Sequence, residues 1–432
     1  MAKIVLSAAG SAGDIYPMIA LAAELRARGH APVMATMAEY RAAIEAQGIG
    51  FRALRPSQEE VERALGVDTP KLVRLTTHPS TGLEFAVRRI AMPFLVSSYE
   101  DMREACADAQ LVITHTSAFG ARLAAEKLDI PWLSAVLAPF AFMSTYDPPL
   151  FLASRTLAEI RRIFGGGFER AVLHVVKLAS LPWTDTYRRL REELGLPQQA
   201  NPLFEGQFSP FGTLALYSKH FGSVQRDFPR ATALTGFCYY DGGGELSPEL
   251  ERFLSNGRPP LVFTIGSALV HEPRRFFETA AEATQITGNR AILLAGSYAR
   301  QARGLASRDI LVTGDYVPHA QIFQRAATIV HHGGIGTTAQ ALRAGRPQLV
   351  IPYSADQPDN ADRLERMGVA RSIPIGQFNQ RRAAFEITKL DTPAYVRRAR
   401  RAAQNVGTEN GPAAAADIIE RVLAGRNALR YG

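Results

Sequence analysis

Short apolar runs alternate along the chain with longer segments whose apolar residues recur every three or four positions. Residues 3–8 (KIVLSA) form the first run, and 18–29 (MIALAAELRARG) follow with one apolar helical face and a closing glycine. Runs at 31–37 (APVMATM) and 49–54 (IGFRAL) predict two further strands, with a helix over 39–47 between them. LVIT at 111–114, AFGARLAAEKL at 118–128 and PWLSAVL at 131–137 continue the alternation. Strands separated by helices predict an α/β fold with a doubly wound, largely parallel sheet. Segments near 57–105 and 141–210 break the rhythm. They are rich in Phe, Leu, Tyr, Pro and Arg, and read either as pocket-shaping insertions or as plain core.

The turn clusters DGGGELSPE (241–249) and NGRPP (256–260) then interrupt the pattern. After them the alternation restarts with LVFTIGS, AILLAGS, ILVTG, TIVHHGG and PQLVIPY. A chain of 432 residues exceeds what one core supports, so two domains are expected. The predicted organisation is a first Rossmann-like domain over 1–236, a linker over 237–259 and a second Rossmann-like domain over 260–411. A final helix from about 412, within 412–432, is expected to pack back onto the first domain. Two such halves in tandem imply a cleft where strand carboxyl ends meet.

Composition narrows the class. Hydrophobic residues make up 47% and charged residues 21%, the balance of an ordinary globular protein. The net charge of +8 favours anionic partners, but the arginines are scattered over short helical faces without interleaved aromatics. That pattern argues against a nucleic-acid partner. Two distant cysteines, Cys106 and Cys238, argue against a disulfide framework or structural zinc and fit a reducing, cytoplasmic setting. The stretch IPWLSAVLAPFAFM is too short and too proline-broken to span a bilayer, while transient contact with a membrane surface stays compatible with the charge. Oligomeric state is not legible.

Two loops carry candidate chemistry. In IVHHGGIGTTAQAL (329–342) a strand runs into glycines and then a helix. Glycines let an anion approach the backbone, and a helix N-terminus favours negative charge. His332, Thr337 and Thr338 can add hydrogen bonds to phosphate oxygens; a plain glycine turn with threonine capping is the competing reading. Farther on, Asp356-Gln357 precedes PDNADRL and suits a ring of sugar hydroxyls, against a simple helix cap. The first loop, SAAGSAGDIYP (7–17), places Asp14 where a phosphate would be repelled, so a dinucleotide site is disfavoured there. The G-x-G-x-x-G fingerprint of a nicotinamide-dependent oxidoreductase is also missing.

These stretches, HHGGIGTT, AGRPQLVIPYSADQPDNA and GSAGDIYP, resemble the family 1 glycosyltransferases, nucleotide-sugar-dependent enzymes with the two-domain GT-B fold. The texture is nearest to bacterial rhamnolipid rhamnosyltransferases and to the antibiotic and sterol glycosyltransferase groups. The resemblance implies that Tyr316 stacks on the nucleobase and that the Val317 backbone bonds its edge. It assigns Ser267, His332, Gly334, Gly336, Thr337 and Thr338 to the diphosphate, and Asp356 and Gln357 to the sugar hydroxyls. Gln340 stands where plant relatives carry a glutamate for the ribose, so UDP and dTDP donors both remain open.

The resemblance further implies an inverting transfer to a hydroxyl of a hydrophobic small molecule or lipid. The nucleotide sugar is then a co-substrate, and neither a cofactor nor a metal is expected. Asp14 occupies the general-base position, with helix capping as the alternative or additional role. Ser11, His115 and Phe140 are the candidate acceptor-binding residues, and segments 72–99 and 139–215 the candidate acceptor walls. The resemblance favours a deoxyhexose such as rhamnose on a hydroxylated lipid; glucose transfer to a sterol, polyketide or flavonoid-like acceptor is the runner-up, and a non-catalytic nucleotide-sugar-binding protein the remote alternative.

Overall fold

The structure is a computed structural model that describes residues 1–150, 167, 170–266, 273–314 and 317–425. The chain forms two compact units. Met1–Pro149, the described residues of Ser154–Tyr240 and the stretch from Glu409 make the first; Asp241–Thr408 makes the second.

In the first unit seven parallel strands lie in the order β3-β2-β1-β4-β5-β6-β7. They are β1 (Lys3–Ser7), β2 (Ala31–Thr36), β3 (Gly50–Ala53), β4 (Leu111–His115), β5 (Trp132–Val136), β6 (Thr213–Ala215) and β7 (Thr232–Leu234). Ile4, Val5 and Leu6 are fully buried, as expected for a strand covered on both faces. The chain steps outward from β1 to β3, then returns to the opposite side of β1 to lay down β4. Ser7 therefore pairs with Thr114, and the two carboxyl ends stand side by side. Strands β6 and β7 have three residues each, too few for an alternating pattern to register.

The first helix, Ala12–Ala27, opens ahead of the apolar face read from Met18 and carries Pro17 inside it. Ser11 and Asp14 cap its start, which lets the helix open in the loop itself. The final helix, Gly411–Leu423, belongs to the first unit. Arg28 Nη1 donates to Asp417 at 2.6 Å and to Glu420 at 3.0 Å. Gly411 lies so close to the carbonyls of Gly236 and Phe237 that any side chain would overlap them.

The second unit repeats the plan with six parallel strands in the order β10-β9-β8-β11-β12-β13. These are β8 (Leu261–Thr264), β9 (Ala291–Leu294), β10 (Ile310–Thr313), β11 (Thr328–His331), β12 (Gln348–Val350) and β13 (Ala370–Ser372). Order reverses beside β8, where His331 of β11 pairs with Thr264.

The stretch 237–259, expected as a linker, contains one helix within otherwise irregular chain. Phe237 and Cys238 are buried, and the change of unit falls between Tyr240 and Asp241. Pro248–Ser255 is a helix whose Leu250 and Leu254 join a core with Val262, Ile292 and Phe323. The SPE sequence is a helix start, with Ser247 as cap, proline at the first position and acids in the first turn.

Among the described residues of the second unit, His331 and His332 are buried and His319 is half-buried. His331 Nε2 donates to Gln348 Oε1 at 2.9 Å while its Nδ1 accepts from the Gly333 amide at 3.1 Å, so the ring is neutral. Burial pushes His319 and His331 down to about 4 and His332 to about 3. These values lie below the ordinary 6.5, so the unfolded chain takes up protons first as pH falls. The associated stability is complete above pH ~6.5 and is lost toward pH 4. Each histidine contributes a slope of about 1.4 kcal/mol per pH unit in that window. Urea unfolding of the second unit between pH 7 and 4.5 should show this loss, and His331→Gln should remove about one proton's worth of slope. An unchanged slope in the variant would show that His331 does not enter the fold neutral.

Candidate functional site

Both sets of candidate residues sit where strand order reverses, the position at which open parallel sheets bind ligands. In the first unit β1 leads into the glycine loop and β4 ends in His115. Ser11, not Asp14, is the N-cap, and Asp14 is the third residue of the helix. Its carboxylate folds back: Oδ2 accepts from the Ser11 amide at 2.7 Å and the Ser11 hydroxyl at 3.0 Å. Gly10, at φ +138°, makes that fold possible, because a Cβ there would strike Asp14 Oδ2.

The second oxygen, Asp14 Oδ1, faces His115 Nε2 at 4.0 Å. The Asp14 side chain retains 32% exposure against 10% for His115. Burial pushes the His115 pKa down, Asp14 acts in the opposite sense, and Arg122 adds to the lowering. The Tyr40 hydroxyl donates to the Gly10 carbonyl at 3.3 Å, and burial followed by the Asp14 charge pushes its phenol up. Phe140 sits apart, half-buried on the Pro139–Phe142 turn beyond β5, two strands along from β1. Its neighbour Phe142 is core, stacked on Phe228 and Phe208 at 3.9 and 5.4 Å. Within the 72–99 stretch, Leu75, Phe85, Arg88 and Arg89 line a surface cavity of about 380 Å³.

In the second unit three adjacent strands, β8, β11 and β12, deliver the candidate residues from their carboxyl ends. The helix after β11 is Ile335–Ala344 with Gly334 as N-cap, so it opens before Thr337-Thr338 and leaves first-turn amides at Gly336 and Thr337. The His332 ring lies between Gly266 and Gly334; a Cβ on either would strike it. His332 Nδ1 and Thr338 Oγ1 are buried without a hydrogen-bond partner. Burial first, and then His331 and His319, hold His332 neutral, which leaves it one N–H to donate.

Asp356 stands at the N-cap position of the helix Gln357–Arg366, but its side chain makes no capping bond and instead accepts from Asn360 Nδ2 at 2.7 Å. The same Asn360 amide donates to the Gly333 carbonyl at 2.9 Å, tying the two loops together. Gln357 Oε1 accepts from the Tyr353 amide at 2.9 Å, which turns its NH2 group away from its own loop. Gln340 donates to Asp241 Oδ1 at 3.2 Å, and Arg343 clamps both oxygens of that carboxylate at 2.9 and 2.8 Å. A carboxylate thus stands beside Gln340 although none occupies its position. The Val317 side chain is core, packed with Ile322 and Phe323. Ser267 and Tyr316 lie outside the described residues.

Gly10, Asn360 and Asp241 were not singled out by sequence motifs. Asn360 carries a signal, one helical turn beyond Asp356; Asp241, remote in sequence from Gln340, carries none. Among the described residues no three His, Cys, Asp or Glu side chains converge as a metal site, and no helix is long and apolar enough to cross a membrane.

Residues 4–146 match the family model for the glycosyltransferase family 28 N-terminal domain. Residues 298–422 match that for the erythromycin biosynthesis protein CIII-like C-terminal domain. The chain is 31% identical to O-mycaminosyltylonolide 6-deoxyallosyltransferase of Streptomyces fradiae, over 97% of each chain. It is 27% identical to sterol 3-beta-glucosyltransferase of Leptosphaeria maculans over 97% of its own length and 29% of that protein. Among solved structures it resembles the glycotransferase of kitacinnamycin, with a TM-score of 0.70, 21% identity and coverage of 98% and 99%. It also resembles the glycosyltransferase VinC in complex with dTDP, with a TM-score of 0.69, 17% identity and coverage of 98% and 100%. With nearly a third of its residues identical to an antibiotic glycosyltransferase from end to end, and with two parallel-sheet units, the chain belongs to the family 1 glycosyltransferases of GT-B fold.

Proposed function

We propose that this glycosyltransferase moves a deoxyhexose from a nucleoside-diphosphate sugar to a hydroxyl of a hydrophobic acceptor, with inversion and with Asp14 as general base. Two orphaned polar atoms carry the donor assignment. His332 Nδ1 and Thr338 Oγ1 are buried beside a helix N-terminus without partners, a costly state that a diphosphate's oxygens relieve. Asp356 and Gln357, tied to the same loop through Asn360, are assigned to the sugar hydroxyls. The developing negative charge on the leaving diphosphate is met by first-turn amides and threonine hydroxyls, so no divalent ion is required. The 6-deoxyallosyl relative supports a deoxyhexose donor, and the sterol relative keeps glucose transfer to a sterol as the second reading.

On the acceptor side, inversion is one displacement. The hydroxyl oxygen bonds to the anomeric carbon, its proton passes to a base, and the diphosphate leaves with the bonding pair. Asp14 Oδ1 is the oxygen not occupied by Ser11, and it stands at the carboxyl end of β1.

Thr338→Val tests the donor site without the usual confusion with folding. The Thr338 hydroxyl has no partner, so an apolar isostere should leave the melting temperature unchanged or higher. At the same time the KM for dTDP- or UDP-sugar should rise about tenfold. Unchanged donor affinity would remove Thr338 from the diphosphate site. Asp14→Asn should lower kcat by about 10²–10⁴ with nucleotide-induced thermal stabilisation intact, measured on an acceptor found by screening hydroxylated hydrophobic compounds. Near wild-type transfer would sink the base assignment. Prior treatment with EDTA should leave the rate unchanged; a loss restored by Mg²⁺ would refute metal independence.

A further inference from the structure

The gap between Asp14 and His115 has a proton inventory that hydrogen bonding fixes. Ser117 Oγ lies 2.6 Å from the Ala9 carbonyl and 2.7 Å from His115 Nδ1. A carbonyl has no proton to give, so the single Ser117 hydroxyl proton goes to Ala9. Toward His115 the hydroxyl offers only a lone pair, and Nδ1 must be the donor. Burial keeps the ring neutral, which leaves Nε2 bare. Across 4.0 Å stands Asp14 Oδ1, also bare because the carboxylate's bonded oxygen is Oδ2. Two acceptors face each other with no proton between them, and that accounts for a separation too long for a hydrogen bond.

We propose that Ser117 is a positioning residue that locks His115 in the Nδ1–H form, so that its bare Nε2 receives the proton Asp14 takes from the acceptor hydroxyl. The inference rests on Asp14 acting as the base. As the acceptor oxygen bonds to the anomeric carbon, its O–H bond breaks and the proton passes to Asp14 Oδ1. The sugar–phosphate bond breaks with its electron pair leaving on the diphosphate. The proton then moves from Oδ1 to Nε2, giving an imidazolium whose Nδ1–H is already bonded to Ser117. Asp14 returns to its charged form without releasing a proton to solvent first. Without Ser117, the Nε2–H form becomes available and donates to Asp14 Oδ1, occupying the oxygen that should act as base.

The charged and titratable groups around the pair are Asp14 and Tyr40 on one side and Arg122, from the helix Phe119–Lys127, on the other. Arg122 is buried and bonded to the carbonyls of Pro202 and Gly206; burial lowers its pKa, but from an ordinary value far above the acid range, so an acid limb in the rate is assigned to His115.

Histidine ¹⁵N spectra of the full chain without ligand read the tautomer directly, with His115 assigned by its loss in His115→Gln. The expected spectrum at pH 7 has Nδ1 protonated and Nε2 bare, moving toward Nε2–H in Ser117→Ala and returning in Ser117→Thr. Release of dTDP from dTDP-glucose, with water as the acceptor hydroxyl, gives the second readout. Ser117→Ala should lower kcat about tenfold and move the acid limb to lower pH, because the imidazolium loses an acceptor, while the KM for dTDP-glucose stays unchanged. A protonated Nε2 in the wild type, or His115 shifts indifferent to Ser117→Ala, overturns the proposal. If Asp14→Asn is inactive while Ser117→Ala keeps the wild-type pH profile, this inference alone fails. If Asp14→Asn turns over normally, the base assignment beneath it fails.

Discussion

Both units depend on one constraint of parallel sheets. A chain that lays strands outward from its first strand and then returns to the other side must send neighbouring crossovers in opposite directions. The carboxyl ends of β1 and β4, and of β8 and β11, are thereby left side by side with loops that diverge. Among the described residues, every polar side chain assigned a chemical role above, apart from Gln340, comes from a loop, strand end or first helical turn on this edge or, for Asp356 and Gln357, from the next strand along. Glycine is what allows such groups to crowd there. Gly10 makes room for the Asp14 carboxylate, and Gly266 and Gly334 make room for the His332 ring. Replacing any of these with a larger residue moves a functional side chain before it disturbs the core.

The doubly wound pattern was legible because most strands in both sheets are continuous apolar runs buried on both faces. Strands β6, β7 and β13 were not read from the sequence; each has three residues, as β12 does, but their placement follows from the sheet beside them. The helix inside the expected linker escaped because its cap, proline and acids follow directly on DGGG and read as one turn. In the sites, residue types and loop positions were legible, but their pairings were not. The capping role of Asp14 and its exposure toward His115 turned out to belong to different oxygens of one carboxylate. Asn360 and Asp241 act through partners 27 and 99 residues away, Gly333 and Gln340, and no local pattern records such distances.

The histidines give the sharpest contrast between structure and chemistry. His331 and His332 are adjacent, both buried and both held neutral, so burial alone does not separate them. Their ring nitrogens do. His331 has both satisfied within the protein, one by Gln348 and one by the Gly333 amide, and nothing remains for a ligand. It fixes the loop backbone from below. His332 has a buried nitrogen without a partner, which is the observation behind its proposed place in the donor site.

His115 is the third case, and it follows from the same accounting. One nitrogen is satisfied by Ser117, and the other faces a carboxylate oxygen that it can bond only if one of the two gains a proton. A histidine serving the fold alone would adopt the other tautomer and close the 4.0 Å gap with a direct bond to Asp14. The Ser117–Ala9 bond prevents it, at the cost of facing two lone pairs across the end of β1 and β4. On the proposed mechanism that cost is recovered at the moment a proton arrives, since in a single-displacement glycosyl transfer the acceptor hydroxyl is the group that brings one.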